Sequence, residues 1–524
     1  MLSRISSCAV EGIDGSIVDV EVDIRYGLPA FTTVGLPDAA VKESRERVRA
    51  AIKNSGYTFP DDKITVNLAP ADVKKDGTAF DLPMAMAILV ATGAAPQDAV
   101  LPYLFFGELS LDGRLKPVKG SLPMAMAARE AGYKGIVVPY ENRRETSVVQ
   151  GLSVYPARNL SQVLGFILGD VHLDNEATDI NALFRDDGHH ETDFSEIMGQ
   201  EHVKRALEIS AAGGHNVLMS GPPGSGKTML ARSFSSILPP LSFEEAIETT
   251  KIYSVAGLLA KDQTLITRRP FRAPHHTISD AGLIGGGHHP RPGEVSLAHN
   301  GVLFLDEFPE FKKHVLEVLR QPLEDRRVTI SRAASTLTFP SSFSLIAAMN
   351  PCPCGYMTDT IHACTCSPAQ IDRYKSRLSG PLLDRIDIHI DVPAVPFREI
   401  KKGRASETSA DVRGRVTSAR AVQQTRFKKL GIYANAQMTS RMINRFCPMD
   451  SDCLSLLEQA IARLGLSARA YNRVIKISRT IADLSGEETI RPVHVSEAIQ
   501  YRSLDRKKGS IVVKSLPGHG WPHT

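Results

Sequence analysis

The chain has 524 residues, room for about three domains at roughly 150 residues each. Its 42% hydrophobic and 23% charged residues are those of an ordinary folded protein, and they exclude a disordered, collagen-like or fibrous chain. A net charge of +4 is too small for a polycation, so any nucleic-acid surface must be a local patch.

The first residues, MLSRISSCAVEGIDG, contain no apolar core of signal-peptide length. The longest apolar stretch, Leu82 to Ala95, is about 14 residues and carries Pro83 and Gly93, short of the roughly 20 that span a bilayer. The expectation is a cytoplasmic protein with no membrane partner. Seven cysteines, an odd number in a long chain, argue against a disulfide framework.

Residues 1–168 alternate β-rich runs (Ser16–Ile24, Ile64–Leu68, Gly135–Pro139) with helical patterns (Ala39–Asn54, Pro83–Gly93, Pro123–Gly132), which predicts an α+β or α/β domain. Residues 169–195 change character. Between Asp170 and Asp193 eight acidic residues face Arg185 alone without periodicity, which reads as a tether. From 196 to 395 helices (Gln200–Ala212, Met229–Leu238) and apolar strands (Asn216–Ser220) alternate, the pattern of a parallel sheet with crossover helices. Residues 396–430 hold ten Lys or Arg against three acids, and read as a solvated basic helix face. Three helical patterns over 438–502 make the rest of 396–508 a small all-α domain, and 509–524 a tail.

The strongest motif is Gly221-Pro222-Pro223-Gly224-Ser225-Gly226-Lys227-Thr228, a phosphate loop between an apolar strand and a helix. Glycines there let successive N–H groups face phosphate oxygens, and the helix N-terminus adds positive potential. Lys227 is expected on the β- and γ-phosphates of ATP, and Thr228 on Mg²⁺. A second apolar strand, Gly301-Val-Leu-Phe-Leu305, delivers Asp306 to the same Mg²⁺ and Glu307 to the attacking water. A third, Phe343–Met349, ends at Asn350, placed to align the water or sense the γ-phosphate. In Leu382-Leu-Asp-Arg-Ile-Asp387, Arg385 suits either a neighbouring subunit's nucleotide or an ordinary Arg–Asp pair.

This order of motifs, followed by a helical lid, resembles the AAA+ ATPases. Phe271-Arg-Ala-Pro-His-His276, Pro292-Gly-Glu-Val-Ser-Leu-Ala-His299, Met349-Asn-Pro-Cys-Pro-Cys-Gly355 and Ser478-Arg-Thr-Ile-Ala-Asp-Leu484 resemble the magnesium-chelatase-like branch called YifB or ComM. The resemblance covers nearly the whole chain. It implies a homohexamer with ATP between subunits, Arg385 as the finger, and Arg469 in Leu466-Ser-Ala-Arg-Ala470 as the lid arginine. It also implies a DNA helicase driving branch migration in homologous recombination and natural transformation. The implied fold is α/β: an AAA+ P-loop NTPase core with an N-terminal Lon-protease-like α+β domain and a C-terminal all-α lid. Lys75-Asp-Gly-Thr-Ala-Phe-Asp81 and Gly107–Gly113 are similar to Lon-protease turns, but Ala79 and Leu122 stand where that Ser–Lys pair would be. Without a nucleophile no acyl-enzyme forms, so this domain is expected to be proteolytically inactive.

Cys352, Cys354, Cys364 and Cys366 form two close pairs whose spacing suits a structural Zn²⁺ site, with His362 as an alternative ligand. Four free thiols or a redox pair is the competing reading. Two inserts bear on DNA. Ala281-Gly-Leu-Ile-Gly-Gly-Gly-His-His-Pro-Arg291 reads as a mobile hairpin, and Arg327–Ser331 with Ser335–Phe339 as hairpin arms. By resemblance they line a central pore, where Arg332, His288, His289 and Arg291 would contact the backbone of single-stranded or branched DNA. The rival functions are metal insertion of the magnesium-chelatase type and protein remodelling without DNA unwinding. The chain lacks the D-x-S-x-S metal motif of integrin-like domains, which stands against the former.

Overall fold

The computed structural model describes residues 1–185, 192–260, 262–287, 290–332, 335–359, 362–395, 407–464 and 467–502. Two sheets organise them. The N-terminal sheet has seven strands in the order Ala30–Val34, Lys63–Ala69, Asp14–Arg25, Leu2–Glu11, Tyr103–Phe105, Gly135–Pro139, Ser153–Ala157. Its long strands Leu2–Glu11 and Asp14–Arg25 pair antiparallel, and Val18, Val20 and Val22 alternate into the core. Helix Asp81–Ala91 is buried at every position, so it carries no amphipathic stripe and runs through the middle of the domain.

The second sheet is all parallel, in the order Phe271–Arg272, Val302–Leu305, Ser344–Met349, Val217–Ser220, Ile388–Asp391. Its strands are covered on both faces, which is why they read as continuous apolar runs. Val217, Met219, Phe304, Ile346 and Ile388 face one core with the helical lid, and Leu218, Leu303, Leu305, Leu345 and Ala347 face the other. Val217–Ser220 comes first in the chain but lies between the last two strands. This is the switch point at which α/β sheets bind ligands beyond the strand C-termini.

The acidic segment is not a plain tether. Glu176 N–H bonds to Val154 O at 2.9 Å, Asn175 Oδ1 accepts from Val154 N at 2.8 Å, and Leu173 is buried. Residues Ile180–Arg185 form a helix whose Leu183 and Phe184 pack on the N-terminal domain; residues 186–191 lie outside the described residues. These few apolar and amide side chains, which the charge count passes over, pin the segment.

The basic stretch likewise differs from a solvated face. Helix Ser409–Phe427 turns Arg415 to Glu208 at 2.5 Å, Arg420 to Ala211 O at 3.1 Å and Arg426 to Asp483 at 2.5 Å. Residues 396–406 lie outside the described residues. The lid contains four helices among the described residues, Ser440–Phe446, Ser451–Leu464, Ala468–Leu484 and Pro492–Gln500.

The N-terminal domain docks on the ATPase-like core. Helix Ser121–Glu130 packs on helix Phe243–Ala256, Gly120 N–H bonds to Ser254 O at 3.1 Å, and Lys251 pairs with Asp14 at 2.6 Å. Ala79 and Leu122 are buried in a cluster that also contains Leu241, Ala246 and Leu265. No described helix is long and apolar enough to cross a membrane.

Candidate nucleotide site and cysteine cluster

The loop Gly221–Gly226 leaves the C-terminal end of strand Val217–Ser220, and helix Lys227–Ile237 begins at once behind it. Gly226 caps that helix at φ +86, a left-handed conformation that glycine adopts without steric cost. The Lys227 ammonium donates to Gly221 O at 2.7 Å, Pro222 O at 2.9 Å and Asn350 Oδ1 at 3.3 Å. Burial lowers its pKa, and Asp306 opposes that shift. Ser225 is buried behind the loop, and Gln200 Nε2 ties Ser225 O (3.0 Å) to Pro393 O (2.9 Å).

Thr228 Oγ1 donates to Asp306 Oδ2 at 2.9 Å, so the two residues expected on Mg²⁺ do converge. Hard oxygen donors of this kind suit a cation that binds through one or two protein groups plus phosphates. Glu307 follows in a left-handed conformation, φ +50, with its N–H bonded to Asp306 Oδ1 at 2.9 Å. This kink turns the adjacent carboxylates to different partners, Asp306 to Thr228 and Glu307 to His276. Strand pairing explains the arrival of Asn350: Ser344–Met349 runs parallel beside Val217–Ser220, and Gly221 N bonds to Met349 O at 3.2 Å.

One partner escaped sequence reasoning. His276 Nδ1 lies 2.9 Å from Glu307 Oε2, and its ring packs on His275 with centroids 4.1 Å apart. The signal was present in Phe271-Arg-Ala-Pro-His-His276, since a strand beside Val302–Leu305 must end near Asp306 and Glu307.

Arg385 lies at the opposite end of the sheet. Asn216 O accepts from Asp387 N and Ile388 N at 3.1 and 2.9 Å, and Asn216 Nδ2 donates to Arg385 O at 3.2 Å. The strand from Asn216 to Gly221 puts about 16 Å between the Arg385 backbone and its own phosphate loop, at roughly 3.3 Å per residue. The Arg385 guanidinium is buried and pairs with Glu324 at 2.5 Å, while Asp387 pairs with Arg473. Its intramolecular partner is therefore a Glu sixty residues upstream rather than a neighbouring Asp. Arg469 is exposed in the first turn of helix Ala468–Leu484, which Ser467 caps.

The four cysteines come together. Cys352 Sγ lies 3.4 Å from Cys354 Sγ and 3.7 Å from Cys364 Sγ, Cys354 and Cys364 are 3.6 Å apart, and all four sulfurs fall within 4.8 Å of one another. A tetrahedron of thiolates about 2.3 Å from a Zn²⁺ has edges of about 3.8 Å, so the donor set fits that ion. Backbone N–H groups of Tyr356 and Thr365 bring the Cys354 thiol down to about 6, favouring the thiolate that binds metal. His362 instead bonds Asp359 and stacks on Tyr356. The cluster touches the phosphate loop: a Cβ on Gly355, which sits at φ +88, would lie 2.6 Å from Pro223 Cδ.

The inserts are partly helical. Asp280–Ile284 is a short helix, because Ser279 caps it ahead of the glycine run, and among the described residues of this insert only Gly285–Gly286 and Arg291–Pro292 pair as strands. Arg291 is exposed there; His288 and His289 lie outside the described residues. Arms Arg327–Arg332 and Ser335–Pro340 pair antiparallel as expected, with the Arg332 side chain also outside what is described. Ile13, in the turn of the N-terminal domain, packs on the apolar core cluster that includes Val328, Ile330 and Phe339 of these arms.

The sheet order and the cluster Lys227, Thr228, Asp306, Glu307 and Asn350 define an AAA+-type P-loop nucleotide-binding domain. Family models agree over most of the chain: magnesium chelatase subunit ChlI over residues 193–400, subunit ChlI of Mg-chelatase over 20–142, and the ChlI C-terminal region over 406–502. Competence protein ComM of Haemophilus influenzae is 45% identical over 510 residues, covering 96% of this chain and 98% of that protein. The uncharacterized protein YifB of Escherichia coli is 44% identical over 506 residues, with the same shares covered. Lon protease 2 of Bacillus subtilis is 26% identical over 171 residues, 29% of this chain and 30% of that protein. The chain belongs to the ComM/YifB family of magnesium-chelatase-like proteins.

Proposed function

We propose that the chain is an ATP-hydrolysing motor that assembles as a ring of six, translocates on DNA and drives branch migration of recombination junctions. End-to-end similarity to a competence protein carries the DNA part of this reading, because competence is the uptake of external DNA. The site geometry supports the hydrolytic part. Lys227 exchanges its loop carbonyls for phosphate oxygens, and Thr228 with Asp306 would hold a Mg²⁺, which would supply charge neutralisation at the phosphates. Glu307 orients water and takes its proton, and Asn350, which accepts from Lys227, helps align that water. Arg385, about 16 Å from its own loop, serves a neighbouring subunit's nucleotide. Arg469 acts from the lid. The four cysteines would hold a Zn²⁺, which would brace the segment next to Pro223. The pore face is assigned to the insert hairpins, with Arg291, Arg332, His288 and His289 as the residues expected to contact DNA phosphates.

The test is ATP-dependent assembly and strand displacement. With saturating ATP, Glu307→Gln is expected to sediment as a hexamer, and the unsubstituted protein to move a four-way junction. A Glu307→Gln chain that stays monomeric contradicts the shared site. The family models favour one alternative, a metal-insertion motor. That motor would hydrolyse ATP with no response to DNA.

A further inference from the structure

A cavity of about 350 Å³ opens at the strand ends opposite the phosphate loop, between the core and the lid. Six basic side chains line it against three carboxylates. Each carboxylate already has a cation: Glu245 holds Arg269 at 2.9 Å, Glu324 holds Arg385 at 2.5 Å, and Asp387 holds Arg473. Three cations are left over. Among the described residues, Arg420 hydrogen-bonds only the backbone oxygens Ala211 O and Tyr433 O, and Lys476 only Ala436 O at 2.9 Å. The half-buried Arg326 side chain has no hydrogen-bond or ion-pair partner among the described residues.

Two further donors lining this space are orphaned, Arg385 Nε and Ser341 Oγ, on residues 4% and 1% exposed. Buried polar atoms without partners are uncommon and destabilising. The charges also oppose one another. Burial, reinforced by Arg473 and Arg326, pulls Lys476 down to about 8 against the attraction of Asp387, and burial pulls Arg326 and Arg420 down to about 10. An uncompensated cluster of cations, with spare N–H and O–H donors around a polar void, calls for a polyvalent anion with several acceptor oxygens.

We propose that this cavity binds a multiply charged phosphate anion, of the inorganic phosphate or pyrophosphate class, through Arg326, Arg420 and Lys476. The three residues lie on three different elements. Arg326 ends helix Arg320–Asp325 of the core, Arg420 sits on helix Ser409–Phe427, and Lys476 sits on lid helix Ala468–Leu484. A bound anion therefore ties lid to core. Two sources present this chemistry, a free anion and the terminal phosphates of a nucleotide carried by another subunit. The cavity lies within the single chain, so binding of a free anion does not depend on ring formation.

The experiment is calorimetric titration of inorganic pyrophosphate into the full-length Lys227→Ala chain at low ionic strength. Lys227→Ala disables the phosphate loop. The expected result is one saturable site per chain, weakened at least about tenfold by Arg326→Gln and by Lys476→Gln, since each removes charge-assisted hydrogen bonds. Arg114→Gln, an exposed change in the N-terminal domain, leaves the affinity unchanged. Circular dichroism verifies each fold, and the two cavity substitutions lie on separate elements, so misfolding of one leaves the other as the test. No saturable binding, or binding that neither substitution weakens, overturns the proposal. The source is then read from Glu307→Gln assembled with ATP. Displacement of pyrophosphate on assembly assigns the cavity to the neighbour's nucleotide, and retention assigns it to a free anion.

Discussion

At the residue scale, the Lys227 ammonium is satisfied by two carbonyls of its own loop and by Asn350. A nucleotide phosphate enters by replacing those acceptors with charged ones, which makes stronger hydrogen bonds. Lys227→Ala is therefore expected to abolish nucleotide binding, measured with a fluorescent ATP analogue. Glu307→Gln is expected to keep binding and lose hydrolysis, because an amide cannot take the proton from water. The His276 contact sets the aim of Glu307, whose carboxylate is otherwise half-exposed on a left-handed residue. His276→Ala is expected to lower kcat by about three- to tenfold with nucleotide affinity unchanged, the signature of a positioning residue. Steady-state and binding measurements on one preparation separate the two quantities. His276→Asn, which keeps a side-chain N–H, restores part of the loss.

At the scale of elements, the cysteine cluster and the phosphate loop are in close contact, with Gly355 against Pro223. Protein purified without a metal-affinity resin is expected to carry about one Zn²⁺ per chain by elemental analysis. Chelation is expected to weaken nucleotide binding as well as stability, and less than about half an equivalent would exclude the closed four-thiolate site. Within the lid, Asp483 is buried and receives Arg426, Arg479 and Asn435 together. Arg426→Ala leaves that carboxylate with one cation and is expected to cost about 2–3 kcal/mol, read as a lower urea midpoint.

Here the sequence was most legible for apolar runs and glycine spacing. The strands ending at Gly221, Asp306 and Asn350, and the four-cysteine cluster, lie where their local patterns place them. Charge counts were the poor guide. Arg415, Arg420 and Arg426 read as solvated, yet they find partners more than fifty residues away or on other helices. Contacts of that range leave no local trace. The Arg385–Glu324 pair and the His276–Glu307 pair were hidden for the same reason, since strand order, not spacing, brings them together.

At the scale of the whole molecule, the positions where a Lon-like protease would carry its nucleophile and base hold Ala79 and Leu122, buried in a cluster shared with the ATPase-like core. The domain thus contributes a rigid seat for helix Phe243–Ala256 and, through Ile13, a contact beneath the Arg327–Pro340 hairpin. Glu145 sits near this seam, accepting from Asn142 Nδ2 at 2.9 Å, and burial raises its pKa to about 7 despite that hydrogen bond. A carboxyl whose folded pKa lies above its unfolded value binds more protons folded, so stability falls as pH rises from about 4.5 to 7. Glu145→Gln is therefore expected to raise the melting temperature at pH 8 and leave it nearly unchanged at pH 5, with a difference of about 3 kcal/mol.

The claim that joins these scales is that hydrolysis at the phosphate loop answers to DNA held by the hairpins. Steady-state ATPase measured alone and with single-stranded, duplex and four-way-junction DNA, at modest and at high salt, tests it most directly. Strong stimulation, greatest with the junction and lost at high salt, is the predicted result, because phosphate contacts release counterions. Intact basal hydrolysis that no DNA stimulates would contradict the account and favour a metal-insertion or protein-remodelling motor.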